Sequence, residues 1–300
     1  MKRSSLFLFS SLFLLAGSHA WAAACCGGGV ASPSLIAGDH RAQLGTSLSH
    51  TEILVHSVDT KGDWHRWRQR QQVQVLRLEG AQLLSDRSQA GFSLPVFHRI
   101  RDAENSSGLG DVSTSWGYEY LTDWDYHPWR PRGVGYLQVV LPTGRSKAES
   151  ELGGLDSRGN GFWAVGAGTL LTKTWGRWDA LASLDAHRSF GKSISTSQIQ
   201  GTLKPGWGGN LGLGAGYNTK SLRWGGQITW TYEDPIGLDG PSSSSGSLER
   251  YATALASLSY MPNPEWSATL GYSDQTLFGS PLNTSLGRGL QLQLQRKWER

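Results

Sequence analysis

Trp178-Asp179-Ala180-Leu181-Ala182-Ser183-Leu184-Asp185-Ala186-His187 decides the class of fold. Trp178, Ala180, Ala182, Leu184 and Ala186 fall on one side of this stretch, and Asp179, Leu181, Ser183, Asp185 and His187 on the other. Every second side chain of a β-strand faces the same way, so this is a strand with an apolar face and a wettable one. The period recurs from Leu222, where Trp224, Ile228, Trp230 and Tyr232 oppose Arg223, Gln227, Thr229, Thr231 and Glu233. It recurs again where Leu290, Leu292 and Leu294 alternate with Gln291, Gln293 and Gln295.

Working outward, about twelve such segments can be placed, centred in 42–57, 72–84, 91–98, 109–122, 132–142, 161–174, 177–190, 202–218, 221–233, 248–260, 264–274 and 286–298. The connections alternate in length. Those at 85–90, 175–176, 219–220 and 261–263 are short and 123–131 is longer, whereas 58–71, 99–108, 143–160, 191–201, 234–247 and 275–285 are mostly long. Short turns on one rim and long loops on the other are the pattern of a transmembrane antiparallel β-barrel of the outer membrane. A soluble β-sandwich also has many short strands, but it has no need of such regular loop asymmetry.

The aromatic residues support the same orientation. Trp175 and Trp178 flank one short turn, Tyr217 and Trp224 another, Tyr260 and Trp266 a third, with Trp124 and Trp129 in the 123–131 connection and Trp298 near the last segment's end. Aromatics set beside one group of turns make an interfacial girdle. The long connections are polar, and Asp239-Gly240-Pro241-Ser242-Ser243-Ser244-Ser245-Gly246-Ser247 reads as a flexible tip.

The chain starts with Lys2 and Arg3, then an apolar and small-residue stretch from Leu6 to Gly17, then overlapping Ala-x-Ala patterns at Ala20-Trp21-Ala22 and Ala22-Ala23-Ala24. That order is a secretory signal peptide, expected over 1–24 with cleavage near Ala24, and its core is too short to cross a membrane as a helix. Residues 25–39 then form a periplasmic N-terminal segment and 40–300 the barrel. Cys25 and Cys26 are the only cysteines. Adjacent thiols cannot staple distant parts of a fold, so a vicinal disulfide, a bond to another chain, free thiols and N-terminal lipidation all stay open.

The chain has 28 basic and 24 acidic residues; without Lys2 and Arg3 the balance is 26 to 24, a net charge of about +2. That is too even to imply nucleic acid as a partner. No apolar run after the signal reaches the length of a membrane-spanning helix. The 39 glycines and 14 tryptophans are many for a soluble domain and suit a barrel with aromatic interfaces.

A family resemblance rests on two motifs. Gly108-Leu109-Gly110-Asp111-Val112 opens a strand, and Leu141-Pro142-Thr143-Gly144 closes the next, followed by a Gly-rich loop and the strand from Gly161. Over roughly 90–230 this order resembles the bacterial outer-membrane family named after the meta-pathway of phenol degradation, described as transporters. Membership implies an outer-membrane barrel associated with uptake of aromatic or other poorly soluble compounds. Physically, Gly108 and Gly110 permit turns as the chain enters the wall, Asp111 can accept neighbouring amides, Pro142 suits a strand end and Thr143-Gly144 starts a loop.

Catalysis has weak support. His187 and Ser189 share a strand face, but Asp179 and Asp185 on that face turn it toward the lumen, and no phospholipase motif surrounds them. No His-Glu-x-x-His occurs, and no metal site or cofactor is indicated. The expected function is therefore a passive pore in the Gram-negative outer membrane, not an enzyme. Its expected partners are outer-membrane lipids, the barrel-assembly machinery and a small solute. Lumen-lining candidates are Glu119, Gln138, Asp179, Asp185, His187, Arg223, Gln227, Glu233, Gln291 and Gln293, a mixture of signs and amides unlike a single-charge ring. Residues 25–39 are a candidate plug of the lower mouth. A closed barrel with partner-binding loops and an outer-membrane hydrolase are the competing readings.

Overall fold

A computed structural model describes residues 33–125, 127–196, 199–241 and 243–299. The expected signal peptide and Cys25-Cys26 lie outside them. Twelve strands form one closed antiparallel wall: β1 (His40–Val55), β2 (Gln71–Leu83), β3 (Ser88–Arg101), β4 (Val112–Leu121), β5 (Arg132–Leu141), β6 (Ala164–Trp175), β7 (Trp178–Ser189), β8 (Trp207–Asn218), β9 (Leu222–Glu233), β10 (Glu249–Asn263), β11 (Trp266–Asp274) and β12 (Leu286–Glu299). Each pairs with its chain neighbours, and β12 returns to β1, with Leu48 opposite Leu292 and Leu44 opposite Arg296. The ring has no free edge.

The alternating sequence explains which way each face turns. Leu290, Leu292 and Leu294 stand outside with roughly half their surface exposed (56%, 58% and 46%), as do Leu44, Leu48, Leu76, Leu184 and Leu270. Their neighbours Ser47, Gln89, Ser93, Ser115 and Gln138 point inward and are buried. An apolar exterior around a polar interior is stable only where the outer medium is hydrocarbon. The short-turn rim carries Trp175, Trp178, Trp224, Tyr260, Trp266 and Trp298, all exposed. Trp178 meets Tyr217 edge to face at 5.0 Å, and Arg296 lies over both Trp266 and Trp298. Trp163, Phe190, Trp207 and Tyr232 form a second exposed aromatic belt beneath the long loops.

Two connections differ from the sequence expectation. The 99–108 stretch is strand rather than loop: β3 runs to Arg101, turns at Asp102 with φ 52°, and pairs with Glu104–Leu109. That segment continues into β4 past a bulge at Gly110-Asp111, where the Gly110 amide still donates to Pro95. The extension rises above the apolar band, so its outer face lacks the hydrophobic residues that reveal strands elsewhere. The serine-rich tip also folds back, since Leu238 and Ser244 exchange backbone hydrogen bonds of 2.7 and 3.0 Å. Gly237–Asp239 adds to the small sheet of Lys192–Ser195 and Gln200–Lys204.

Substituting Leu292→Arg places a charge in the middle of the apolar band and should destabilise the barrel by about 2–4 kcal/mol, whereas the inward Gln293→Arg should cost far less. Reversible denaturation in lipid vesicles measures both. Equal costs would contradict the assigned orientation of β12.

Candidate functional site: the barrel interior

The interior is built in three levels. At the short-turn rim, the chain before β1 passes inside the wall. Ile36 is fully buried, its amide donates to Gln89 Oε1 at 2.6 Å, and Gln89 Nε2 donates back to its carbonyl at 3.2 Å. Gln43 donates to the Leu35 carbonyl and Arg132 to the Ala37 carbonyl. Arg132 also pairs with Glu119 at 2.8 Å and Asp39 at 3.1 Å. Five polar contacts from β1, β3 and β5 thus hold residues 35–39 in this mouth.

At mid-height the arc of wall from β9 through β12 to β1 and β2 lines a cavity of about 260 Å³. Ser47, Ser49 and Arg77 face it from β1 and β2, and Gln227, Thr229 and Gln291 from β9 and β12. Tyr136 projects inward from β5 across Gly168, where a Cβ would stand 2.5 Å from the phenol oxygen. Glycine at 168 therefore makes room for the ring.

The inward charges of β7 to β9 are mutually paired at both ends of the wall. Asp179 accepts from Arg223 Nε at 2.8 Å and Nη2 at 2.6 Å, and from Asn218 at 2.6 Å; this pair sits lower, near the short turns. Higher up, His187 Nε2 meets Glu233 Oε2 at 3.2 Å and its Nδ1 lies 4.0 Å from Asp185. Asn210 bridges Asp185 and Thr231. His187 is thus engaged by carboxylates on β7 and β9, and no hydrogen bond joins it to Ser189 among the described residues.

The sequence-predicted lumen residues consequently fall into groups. Asp179 joins Arg223, Asp185 joins His187 and Glu233, Glu119 joins Arg132, and Gln227 and Gln291 share the central cavity. Gln138 and Gln293 also face inward, on β5 and β12. Arg77 and Glu79, 3.8 Å apart between the outward Leu76 and Leu78, and Arg99 on β3 are further inward charges, whose less regular flanks give a weaker alternation signal.

Above the wall the long loops pack on one another. Phe162, Ile194 and Leu203 form a buried apolar cluster with Ala148, Ile199, Ile236 and Leu238 against them. Lys192 reaches Glu149 at 2.5 Å, joining the 142–163 and 190–206 loops. The Gly108–Asp111 and Pro142–Gly144 motifs form the foot of this cap. Asp111 accepts the amides of Gly144 at 2.9 Å and Gly161 at 3.0 Å, while Thr143 Oγ1 donates to the Gly110 carbonyl. A Cβ at Gly159 would lie 2.4 Å from the Asp111 carboxylate. Both ends of the 144–161 loop are thereby tied to one half-buried carboxylate. Within it, burial acts to raise the pKa of Asp156, but Ser150, Arg145 at 2.7 Å and the amides of Glu151 and Leu152 hold it well below the usual carboxylate range.

A closed twelve-stranded wall with an apolar exterior, a polar interior and two aromatic belts is an outer-membrane β-barrel. The COG4313 outer-membrane channel from Pseudomonas putida F1 has the same fold, with a TM-score of 0.69 at 15% identity over 88% of this chain and 100% of that one. The β domain of the Bordetella autotransporter BrkA aligns with a TM-score of 0.49 at 14% identity over 87% of this chain and 100% of that one. The NanC porin aligns with a TM-score of 0.46 at 10% identity over 85% of this chain and 99% of that one. No protein-family model matches the sequence, and no curated protein matches it.

Replacing Asp111 by Ala leaves two loop-foot amides without their acceptor, at about 1–3 kcal/mol for a buried group. Trypsin should then cut after Arg145, Lys147 or Arg158 while the boiled and unboiled gel mobilities still differ. An uncut loop would show that the anchor is dispensable. Asp156 sets a pH signature in the same loop. Its folded pKa is depressed, so its stabilisation is fully present above about 3.8 and is lost as pH falls below that. The protection factors of the Glu151 and Leu152 amides, taken against intrinsic exchange at each pH, should fall below that pH and stay flat from there to neutrality.

Proposed function

We propose that the protein is a passive outer-membrane pore for small solutes, aromatic and hydrophobic ones among them. The observation that carries this reading is the polar cavity inside a sealed barrel, because a purely structural barrel of this size can be filled by side chains. Internal ion pairing of Asp179 with Arg223, and of His187 with Glu233, favours weak ion selectivity over a charged filter. The fold shared with a protein described as an outer-membrane channel supports the same reading. Membership of the meta-pathway family is a finer part of the proposal and rests on the Gly108–Asp111 and Leu141–Gly144 motifs. A hydrolase built on Ser189 is disfavoured because no hydrogen bond joins that hydroxyl to His187 among the described residues.

Residues 35–39 act in this reading as a plug of the lower mouth, held by Gln89, Gln43 and Arg132. The alternative, a closed barrel whose loops bind a partner, draws support from the apolar cap of Phe162, Ile194 and Leu203 at the other end. Planar-bilayer recording on refolded protein separates the two. The pore predicts discrete current steps that grow when residues 33–39 are deleted. Silence from both proteins, each confirmed as folded by its heat-dependent gel mobility, would overturn the pore and favour the closed barrel.

A further inference from the structure

Across the ring from the His187 cluster, the 56–70 loop, the tops of β2 and β3 and the 142–163 loop enclose a cavity of about 180 Å³. Arg99 and Lys147 line it, and no carboxylate does. Arg99 differs from its neighbours. Arg70 pairs with Glu52 at 3.3 Å, and Arg101 pairs with Glu104 while holding the carbonyls of Leu152 and Gly153. The Arg99 side chain has no ion pair or hydrogen bond among the described residues, and its Nε is buried without a partner. Its guanidinium stands 5.8 Å from the centre of the Phe97 ring. A buried N–H on a cationic group is costly unless an acceptor meets it.

The facing wall is aromatic and rigid. His56 and Trp67 stack at 5.4 Å with planes 16° apart. Trp67 donates its amide to His56 Nδ1 at 3.1 Å, and His56 Nε2 bonds the Gln69 carbonyl at 2.7 Å. That pattern assigns a neutral imidazole with its proton on Nε2. The Trp67 ring is 58% exposed. Val73 and Leu155 add apolar surface, and Gly153 and Gly154, with φ of 59° and 90°, bring the loop close.

We propose that this cavity binds a small organic anion with a flat apolar body, its best occupant being a single-ring aromatic carboxylate. The carboxylate takes paired N–H bonds from Arg99, with Lys147 adding positive charge, and the ring lies against Trp67. Cavities of about 150 Å³ already admit a benzene ring, so the space suffices. As an entry site choosing solutes for the lumen, it rests on the pore reading above; as a binding site it does not.

The test is calorimetric titration of refolded full-length protein with benzoate, its neutral analogue benzamide, and ringless acetate. Benzoate should bind about tenfold or more tighter than either of the others. Arg99→Gln should abolish the benzoate–benzamide difference, and Trp67→Ala should weaken benzoate about tenfold while leaving acetate unchanged. Equal binding of benzoate and benzamide by the unaltered protein overturns the proposal, and that comparison needs no variant. A folded Arg99→Gln protein that keeps the difference does so too. Benzoate binding without bilayer current would leave this site standing and remove the pore, and current without benzoate binding would do the reverse.

Discussion

Hydrocarbon offers nothing to a backbone amide or carbonyl, so a chain crossing it in strands must satisfy every such group from its own neighbours. In this protein the requirement is met by a ring in which each strand has a partner on both sides, including β1 and β12. Other features follow from it. Because the ring is closed, its two faces meet different media, and alternate side chains must differ in polarity. Leu48 and Leu292 sit opposite one another facing lipid, while Ser47 and Gln293 beside them face the interior. Charges on adjacent or next-but-one strands meet inside, and Asp179 with Arg223, His187 with Glu233, and Glu119 with Arg132 are neutralised there.

This also explains what could be read from the sequence. Period-2 hydrophobicity exists only where one face touches lipid, so all twelve wall strands were visible at about their true positions, and Trp178–Ser189 nearly to the residue. Above the lipid both faces are wet and the signal vanishes. Arg99 to Gly108, full of charge and serine, therefore looked like a loop although it continues the wall. The hairpins of the cap are hidden for the same reason, and their hydrophobic cluster draws two or three residues from each of three loops. Inward orientation was legible from alternation, but partnership was not. Asp179 and Arg223 are 44 positions apart, and their meeting depends on the registers of β7 with β8 and β8 with β9.

The two glycine-bearing motifs show how a turn signal can hold more than a turn. Gly108, expected at a turn, lies instead in a strand paired with Phe97, and Asp111 is the common acceptor for amides on both sides of the 144–161 loop. Gly159 is needed because the carboxylate occupies the space a side chain would fill. The rim on this side is thus a packed layer with its own apolar centre, and the entrance to the interior is shaped by loops tied down at their feet.

The seam between β1 and β12 imposes an order on how the molecule is made. Strands from opposite ends of the wall must find each other, so the cylinder cannot be sealed until the last of them has arrived. Until then the growing sheet exposes two unsatisfied margins together with a greasy outer surface. Biogenesis must therefore shelter a long-lived open intermediate, and the final zipping of fourteen paired positions is the moment at which the chain becomes compatible with lipid.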